Sequence, residues 1–288
     1  MGGKFVNWLI FLSLCLIWGS SFILMKSGME TLSPYQVASI RLISSGVVLL
    51  PFALKAFQRI PASKRMPVIL SGLLGSFFPA YLFCIAETKI DSALAGILNA
   101  LTPLFVIITG IAFFQLRINM QQLLGMLIGF IGLCLLVAAG SNISLAYFGY
   151  ALLVLLATLF YGINVNVVGR YLHGVGSLEI ASMAFVFLII PCLLILYFTG
   201  YFHLPLGNPA YIRSTLASSV LGIFGTAVAS TLFYMLVKRA GTLFASTVTY
   251  GIPFVAIGWG IWHGEQVNVQ QVLCLTVILG GVYMVNKK

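Results

Sequence analysis

Residues 92–114 of the chain read SALAGILNALTPLFVIITGIAFF. This run carries no charge and slightly exceeds the roughly 20 apolar residues that a helix needs to cross the hydrocarbon core of a bilayer. Near its centre lie a polar amide, Asn99, and a residue without a backbone N–H, Pro103. We therefore predict a membrane-spanning helix whose hydrogen bonding is interrupted at its middle.

Similar apolar runs continue in both directions from this segment. Of the 288 residues, 61% are hydrophobic and 7% are charged, against roughly 25% charged in an ordinary soluble domain. This composition excludes a soluble fold and predicts one all-α integral membrane domain over residues 1–288, with ten transmembrane helices. The predicted helices span residues 6–27, 34–54, 67–87, 92–114, 122–139, 147–168, 178–198, 214–237, 242–262 and 270–286.

The net charge of +10 does not indicate a nucleic-acid partner, because the basic residues lie between apolar runs and not on one solvated face. Three basic residues, Lys26, Lys89 and Arg213, fall on one predicted side of the membrane. Eleven fall on the other side: Lys4, Lys55, Arg59, Lys64, Arg65, Arg117, Arg170, Lys238, Arg239, Lys287 and Lys288. The positive-inside rule places that side, and with it both termini, in the cytoplasm. The five cysteines fall inside apolar runs without metal-binding spacing, so no metal or cofactor is expected.

The chain also repeats itself. At an offset of 143 residues, Trp18 and Ser21 align with Tyr161 and Asn164. At an offset of 150 residues, the aligned pairs are Gly72 with Gly222, Gly75 with Gly225, and Pro103 with Pro253. We predict two five-helix repeats, residues 5–139 and 147–286. Because each repeat has an odd number of helices, the second enters the membrane from the opposite side and the repeats are inverted.

The paired prolines indicate a candidate site. Pro103 and Pro253 each remove one helical hydrogen bond and free the carbonyl group four residues earlier, that of Asn99 and Thr249. A freed acceptor and a polar side chain then coincide near the bilayer midplane in both halves, which is typical of a transport site between inverted repeats. The alternative is a packing kink whose polar groups are bonded internally.

The sequence resembles the EamA-type ten-helix permeases of the drug/metabolite transporter superfamily over nearly its whole length. The resemblance lies in WGSSFILMK (18–26), the second helix with Arg41, ALAGILNALTPLF (93–105), GEQVN (264–268) and the glycine-containing fifth and tenth helices. It implies a secondary transporter of amino acids, other metabolites or drugs, often outward and often proton-linked. It also implies a central cavity among helices 1, 3, 4, 6, 8 and 9. Such permeases carry Glu after both the fourth and ninth helices; here Glu265 is kept and Leu116 replaces its counterpart.

We expect the solute to be bound by matched or deeply placed polar and aromatic side chains, since such rings offer apolar area together with a few hydrogen bonds. Core packing is the alternative for each. The candidate substrate-binding residues are Trp18, Ser21, Tyr81, Asn99, Tyr161, Asn164, Tyr234 and Thr249.

Four charged residues are further candidates. Arg41 lies about 10 Å along its helix from Pro34 at 1.5 Å per residue, where it pairs with another group, holds a substrate carboxylate or snorkels outward. Lys26, nearer its helix end, fits interfacial snorkelling. Glu87 and Glu265 are either proton-coupling groups or loop residues in water.

Other functions fit less well. The three histidines lie near helix ends or in loops and no hydrolase motif occurs, so an enzyme is not expected. A passive channel for small solutes stays open, because its lining can be equally sparse. The glycines of the fifth helix (125, 129 and 132) favour either internal packing or a dimer contact, hence a monomer or homodimer. The expected setting is the lipid bilayer of a bacterial inner (plasma) membrane, with a small-molecule substrate and protons as partners.

Overall fold

The computed structural model describes residues 2–90, 92–138, 148–262 and 269–286, and within these ranges the chain is helical and contains no strand. The first half comprises α1 (Gly2–Gly28), α2 (Pro34–Arg59), α3 (Ala62–Ala86), α4 (Ser92–Asn99), α5 (Thr102–Phe114) and α6 (Met120–Ala138). The second half comprises α7 (Phe148–Tyr171), α8 (Ser177–Phe198), α9 (Pro209–Ala240), α10 (Thr242–Ser246), α11 (Val248–Trp262) and α12 (Val269–Asn286).

Six helices, α1, α2, α3, α7, α8 and α9, are long and apolar enough to cross a membrane. Shorter apolar helical segments span Thr102–Phe114, Met120–Gly132, Thr242–Val255 and Leu273–Val285. The predicted all-α membrane class is therefore confirmed. The count of ten crossings and the inversion of the second repeat stay predictions.

Residues 55–66, which lie between the second and third predicted helices, are mostly helical. α2 runs on to Arg59 and α3 begins at Ala62, so only Ile60 and Pro61 separate them. Hydropathy marks where a helix leaves the apolar core, but its polar end continues into water. The turn falls at Ile60 because Pro61 disfavours helical geometry in the residue before it, and Ile60 is extended, with φ −77° and ψ 117°.

Two helix starts follow from local capping chemistry. Ser33 and Gln36 form a capping box at the start of α2, in which each side chain accepts a hydrogen bond from the other residue's backbone N–H. Asn208 caps α9, and Pro209 occupies the first turn. α9 therefore begins at residue 209, before the predicted start at residue 214.

Close helix packing uses glycines. α2 packs along α8, where a Cβ added at Gly46 would lie 2.7 Å from the carbonyl oxygen of Phe185. α6 packs along α12, and Gly125 faces the backbone of Gly281. The glycine seam of α6 is thus filled within the same chain. Among the other long helices, α1 packs along α9, and α3 packs along α7.

Candidate functional site

Two of the long helices, α3 and α9, contain a π-helical segment. In α3 it covers Leu73–Phe77, and in α9 it covers Ile223–Val228. The starts of the two segments are separated by 150 residues, the offset that relates the two halves of the sequence. A π-helical turn is rare and is often found at functional sites. Because it occurs at the same repeat position in α3 and α9, both helices are candidates for a functional site.

Each π-helical segment contains a glycine that contacts the other half of the chain. Gly75 lies against the side chain of Asn164 in α7. Gly225 lies against Ser21 in α1, whose hydroxyl would be 2.8 Å from a Cβ added at Gly225. Since Ser21 and Asn164 are themselves related by the 143-residue offset, the two contacts are equivalent.

A second pair of contacts obeys the same offsets. A Cβ added at Gly72 would lie 3.0 Å from the Cβ of Ala184 in α8, and one added at Gly222 would overlap the carbonyl oxygen of Arg41 in α2. Arg41 and Ala184 are 143 residues apart. The backbone arrangement is therefore shared by the two halves, but the side chain at this position is charged in only one of them.

A cavity of about 120 Å³ lies between these helices. Seven of the eight residues predicted from the sequence to bind substrate line it: Trp18, Ser21, Asn99, Tyr161, Asn164, Tyr234 and Thr249. The lining residues come from the six predicted helices 1, 3, 4, 6, 8 and 9. In the structure these are α1, α3, α4 with α5, α7, α9, and α10 with α11, and α2 adds Arg41. Residues separated by more than 200 positions in the chain thus meet at one place.

The other candidates lie elsewhere. The hydroxyl of Tyr81 is 2.7 Å from that of Ser39, in the packing between α2 and α3. Lys26 is exposed near the end of α1, and Glu87 follows α3 as its C-cap residue. None of these three lines the cavity. Glu265 falls outside the described residues.

Helical structure is interrupted just before Pro103, and the carbonyl group of Asn99 is satisfied within the chain. α4 ends at Asn99, and Pro103 lies in the first turn of α5. The Thr102 hydroxyl donates to the carbonyl oxygen of Asn99 at 2.6 Å. This leaves the side chains of Asn99 and Thr102, both buried, on the cavity wall.

The break in the second half is displaced by about one turn from its expected place. Pro253 lies inside α11, and helical structure is interrupted at Thr247 instead. There the hydroxyls of Ser246 and Thr247 donate to the carbonyl oxygens of Leu243 and Phe244, at 2.8 and 2.7 Å. Side-chain hydroxyls that bond the preceding turn compete with the helical ladder, whereas a proline removes one donor and can be absorbed as a kink.

The aromatic side chains of the cavity are held by contacts. Trp18 donates its indole N–H to the carbonyl oxygen of Gly225 at 3.1 Å and packs on Phe233. Tyr234 accepts a hydrogen bond from Ser71 at 3.2 Å. The lining is therefore an apolar and aromatic wall with polar groups fixed at a few points.

Arg41 is the one charged residue that the structure places in the cavity lining. It is half-buried, and its Nε donates to the hydroxyl of Thr226 at 2.6 Å. Within the described ranges, the chain has a single ion pair, Arg59 with Glu179, so no carboxylate there is in direct contact with Arg41. Thr226 was not predicted from the sequence, although it directly follows the repeat-matched Gly225.

A cavity with polar and aromatic walls between membrane helices is typical of solute transport proteins. The comparison with known proteins agrees with this class. The chain belongs to the EamA-like transporter family, whose profile matches residues 6–138 and, separately, residues 148–287. The predicted family is confirmed, and its domain occurs once in each half.

Several relatives match over most of their length. YdfC, an uncharacterized transporter of Bacillus subtilis (strain 168), is 27% identical over 92% of this chain and 86% of its own. YedA, an uncharacterized inner membrane transporter of Escherichia coli (strain K12), is 26% identical over 95% of this chain and 88% of its own. The S-adenosylmethionine/S-adenosylhomocysteine transporter of Chlamydia trachomatis serovar L2 is 26% identical over 87% of this chain and 80% of its own.

One solved structure, a crystal structure, has the same fold. It superposes with a TM-score of 0.71 at 18% identity and covers 96% of this chain and 94% of that chain. At this identity the likeness establishes the fold alone.

Proposed function

We propose that the protein is a secondary transporter that moves small organic metabolites by alternating access around the central cavity. The cargo class is amino acids or related amphipathic solutes, the direction is export, and the setting is the bacterial inner membrane. The observation that supports this most is the pair of equivalent contacts, Gly75 with Asn164 and Gly225 with Ser21, on the wall of one cavity. Two halves with equivalent contacts can exchange roles and so open the cavity to either side in turn.

The same contacts support two structurally equivalent halves. We propose that these are inverted five-helix repeats that cross the membrane ten times in all, because an odd number of helices in each half reverses the second half. Each of the contacts joins a helix of one half to a helix of the other, α3 to α7 and α9 to α1. A protein whose halves were merely joined in series would instead make its closest contacts within each half.

We place both termini in the cytoplasm by the positive-inside rule, and hydrogen bonds at the two ends of the helices keep the groups of each predicted side together. Groups predicted on the cytoplasmic side pair with each other, as in Arg59 with Glu179 at 3.2 Å and Arg239 with Asn7 at 3.0 Å. Groups predicted on the outer side pair likewise, for example Ser214 with the carbonyl oxygen of Ser27 at 2.9 Å.

The lining and the relatives favour an amphipathic metabolite. Trp18, Tyr161 and Tyr234 offer ring surface beside hydroxyl and amide groups, which suits a solute with an apolar body and a few polar atoms. The chlamydial relative, named for S-adenosylmethionine and S-adenosylhomocysteine, supports an organic metabolite as cargo.

Counterflow in proteoliposomes tests the proposal. Vesicles loaded with an unlabelled amino-acid mixture should take up radiolabelled amino acids faster than unloaded vesicles, and the uptake should saturate. Protein-free vesicles provide the background. Flux that neither saturates nor responds to internal solute would contradict the proposal and indicate a passive channel. An imposed pH gradient then tests whether protons are coupled.

A further inference from the structure

The backbone that carries Arg41 is held against α9 by hydrogen bonds and close packing. The carbonyl oxygen of Arg41 accepts from the Ser45 hydroxyl at 2.7 Å, and the same hydroxyl lies 2.8 Å from the carbonyl oxygen of Gly222 in α9. Gly222 also packs on the Arg41 backbone. α2 is therefore held against α9 at the point from which the arginine side chain leaves.

The guanidinium of Arg41 is used only in part. Its Nε donates to Thr226, and in the ranges that the structure describes its terminal nitrogens have no hydrogen-bond acceptor. A guanidinium has five donors in a planar fork that fits a carboxylate in a two-point contact. The bond through Nε orients this fork and leaves its outer edge for another acceptor.

The fold itself does not require a charge at this position. The repeat-equivalent residue is Ala184, which is buried and packs on Gly72 as Arg41 packs on Gly222. A charge inside a membrane protein is costly unless it has a partner or a function. Among the residues that the structure describes, the cavity lining contains no carboxylate that could be this partner, so the position is open to an anionic group of a solute.

A second unsatisfied group lines the same cavity. Asn164 is 3% exposed, and its side chain is hydrogen-bonded to Tyr234. Its Oδ1, however, accepts no hydrogen bond from the described residues. Buried polar atoms without a partner are uncommon in proteins. This amide comes from the second half of the chain, whereas Arg41 comes from the first.

We propose that Arg41 binds a carboxylate of the transported solute while Asn164 accepts a hydrogen bond from an amine or hydroxyl of the same molecule. The substrate class is then small organic carboxylates that carry such a donor. This inference rests on the proposed transport function and adds to it the residues that select the cargo.

The test compares matched solutes as counterflow partners in proteoliposomes. L-leucine and L-phenylalanine are each compared with the carboxamide, which lacks the anion, and with the deamino acid (4-methylpentanoate or 3-phenylpropanoate), which lacks the amine. The wild-type protein should exchange the amino acid at least tenfold faster than its carboxamide, and the deamino acid at an intermediate rate.

Variants then assign these preferences to the two residues. Arg41→Gln should slow amino-acid exchange at least tenfold and abolish the preference over the carboxamide, and Arg41→Lys should retain part of it. Asn164→Leu, similar in size, should abolish the preference over the deamino acid. Arg213→Gln removes a charge from the exposed surface of α9 and should behave as wild type.

Several results would overturn the inference. Equal exchange of acid and carboxamide by the wild-type protein, or exchange of neutral or cationic solutes only, would refute carboxylate selection and leave the transporter proposal standing. If Arg41→Gln slowed the exchange of the acid and of the carboxamide equally, the arginine would have only a structural role through its hydrogen bond to Thr226. Absence of saturable exchange for every solute would refute the transport proposal and this inference together.

Discussion

At the scale of single residues, glycines set how closely the helices of the two halves approach. Gly222 shows the closest fit, because a Cβ added there would overlap both the Ser44 hydroxyl and the backbone carbonyl oxygen of Arg41. Backbone cannot move aside as a side-chain tip can. This close approach of α9 to α2 is also what brings Thr226 within 2.6 Å of the arginine.

Replacing Gly222 with alanine should therefore destabilise the protein. The added methyl group would force α2 and α9 apart, and overpacking of this kind costs about 1–3 kcal/mol in the free energy of unfolding. The measurement is the midpoint of thermal unfolding of the purified protein in detergent. Gly280→Ala is the matched control, since nothing lies within 4 Å of a Cβ added there. Equal midpoints for the two variants would show that the contact between Gly222 and Arg41 does not limit packing.

At the scale of helices, the halves interrupt their cavity-lining helices by different means. The first half stops α4 at Asn99 and places Pro103 in the first turn of α5. The second half interrupts the helix at Thr247, where hydroxyls bond the preceding turn, and carries Pro253 inside α11. Aligned prolines therefore have unequal structural effects.

We expect Pro103→Ala to reduce transport much more than Pro253→Ala. An alanine N–H at position 103 can bond the carbonyl oxygen of Asn99, which now accepts from Thr102, so α4 and α5 can join and turn both side chains on the cavity wall. The initial rate of counterflow should fall about tenfold, equivalent to about 1.4 kcal/mol, and by about twofold for Pro253→Ala. Equal losses in the two variants would contradict the unequal roles, and thermal unfolding checks that both remain folded.

At the scale of the whole molecule, much of the site follows from sequence offsets, and the remainder depends on geometry. The pairing of Trp18 with Tyr161 and of Gly75 with Gly225 was visible because repeat-related positions keep similar residues. The hydrogen bond from Arg41 to Thr226 could not be predicted. It joins α2 to the π-helical segment of α9, and such a segment has no sequence signature. The hydroxyl of Tyr81 contacts that of Ser39 and does not line the cavity. The depth of a residue within its helix does not predict which neighbour its side chain contacts.

The inversion of the repeats has a direct test in two equivalent surface positions. Ser63, at the start of α3, and Arg213, near the start of α9, differ by the 150-residue offset, and both are exposed. In a background with the five native cysteines replaced by alanine, Ser63→Cys and Arg213→Cys can each be labelled with a membrane-impermeant maleimide. In intact cells stripped of their outer membrane, the cysteine at 213 should react. The cysteine at 63 should react only after permeabilisation, because inverted repeats place equivalent positions on opposite sides. Labelling of both from the same side would exclude an inverted repeat, and with it a transport cycle in which the two halves exchange roles.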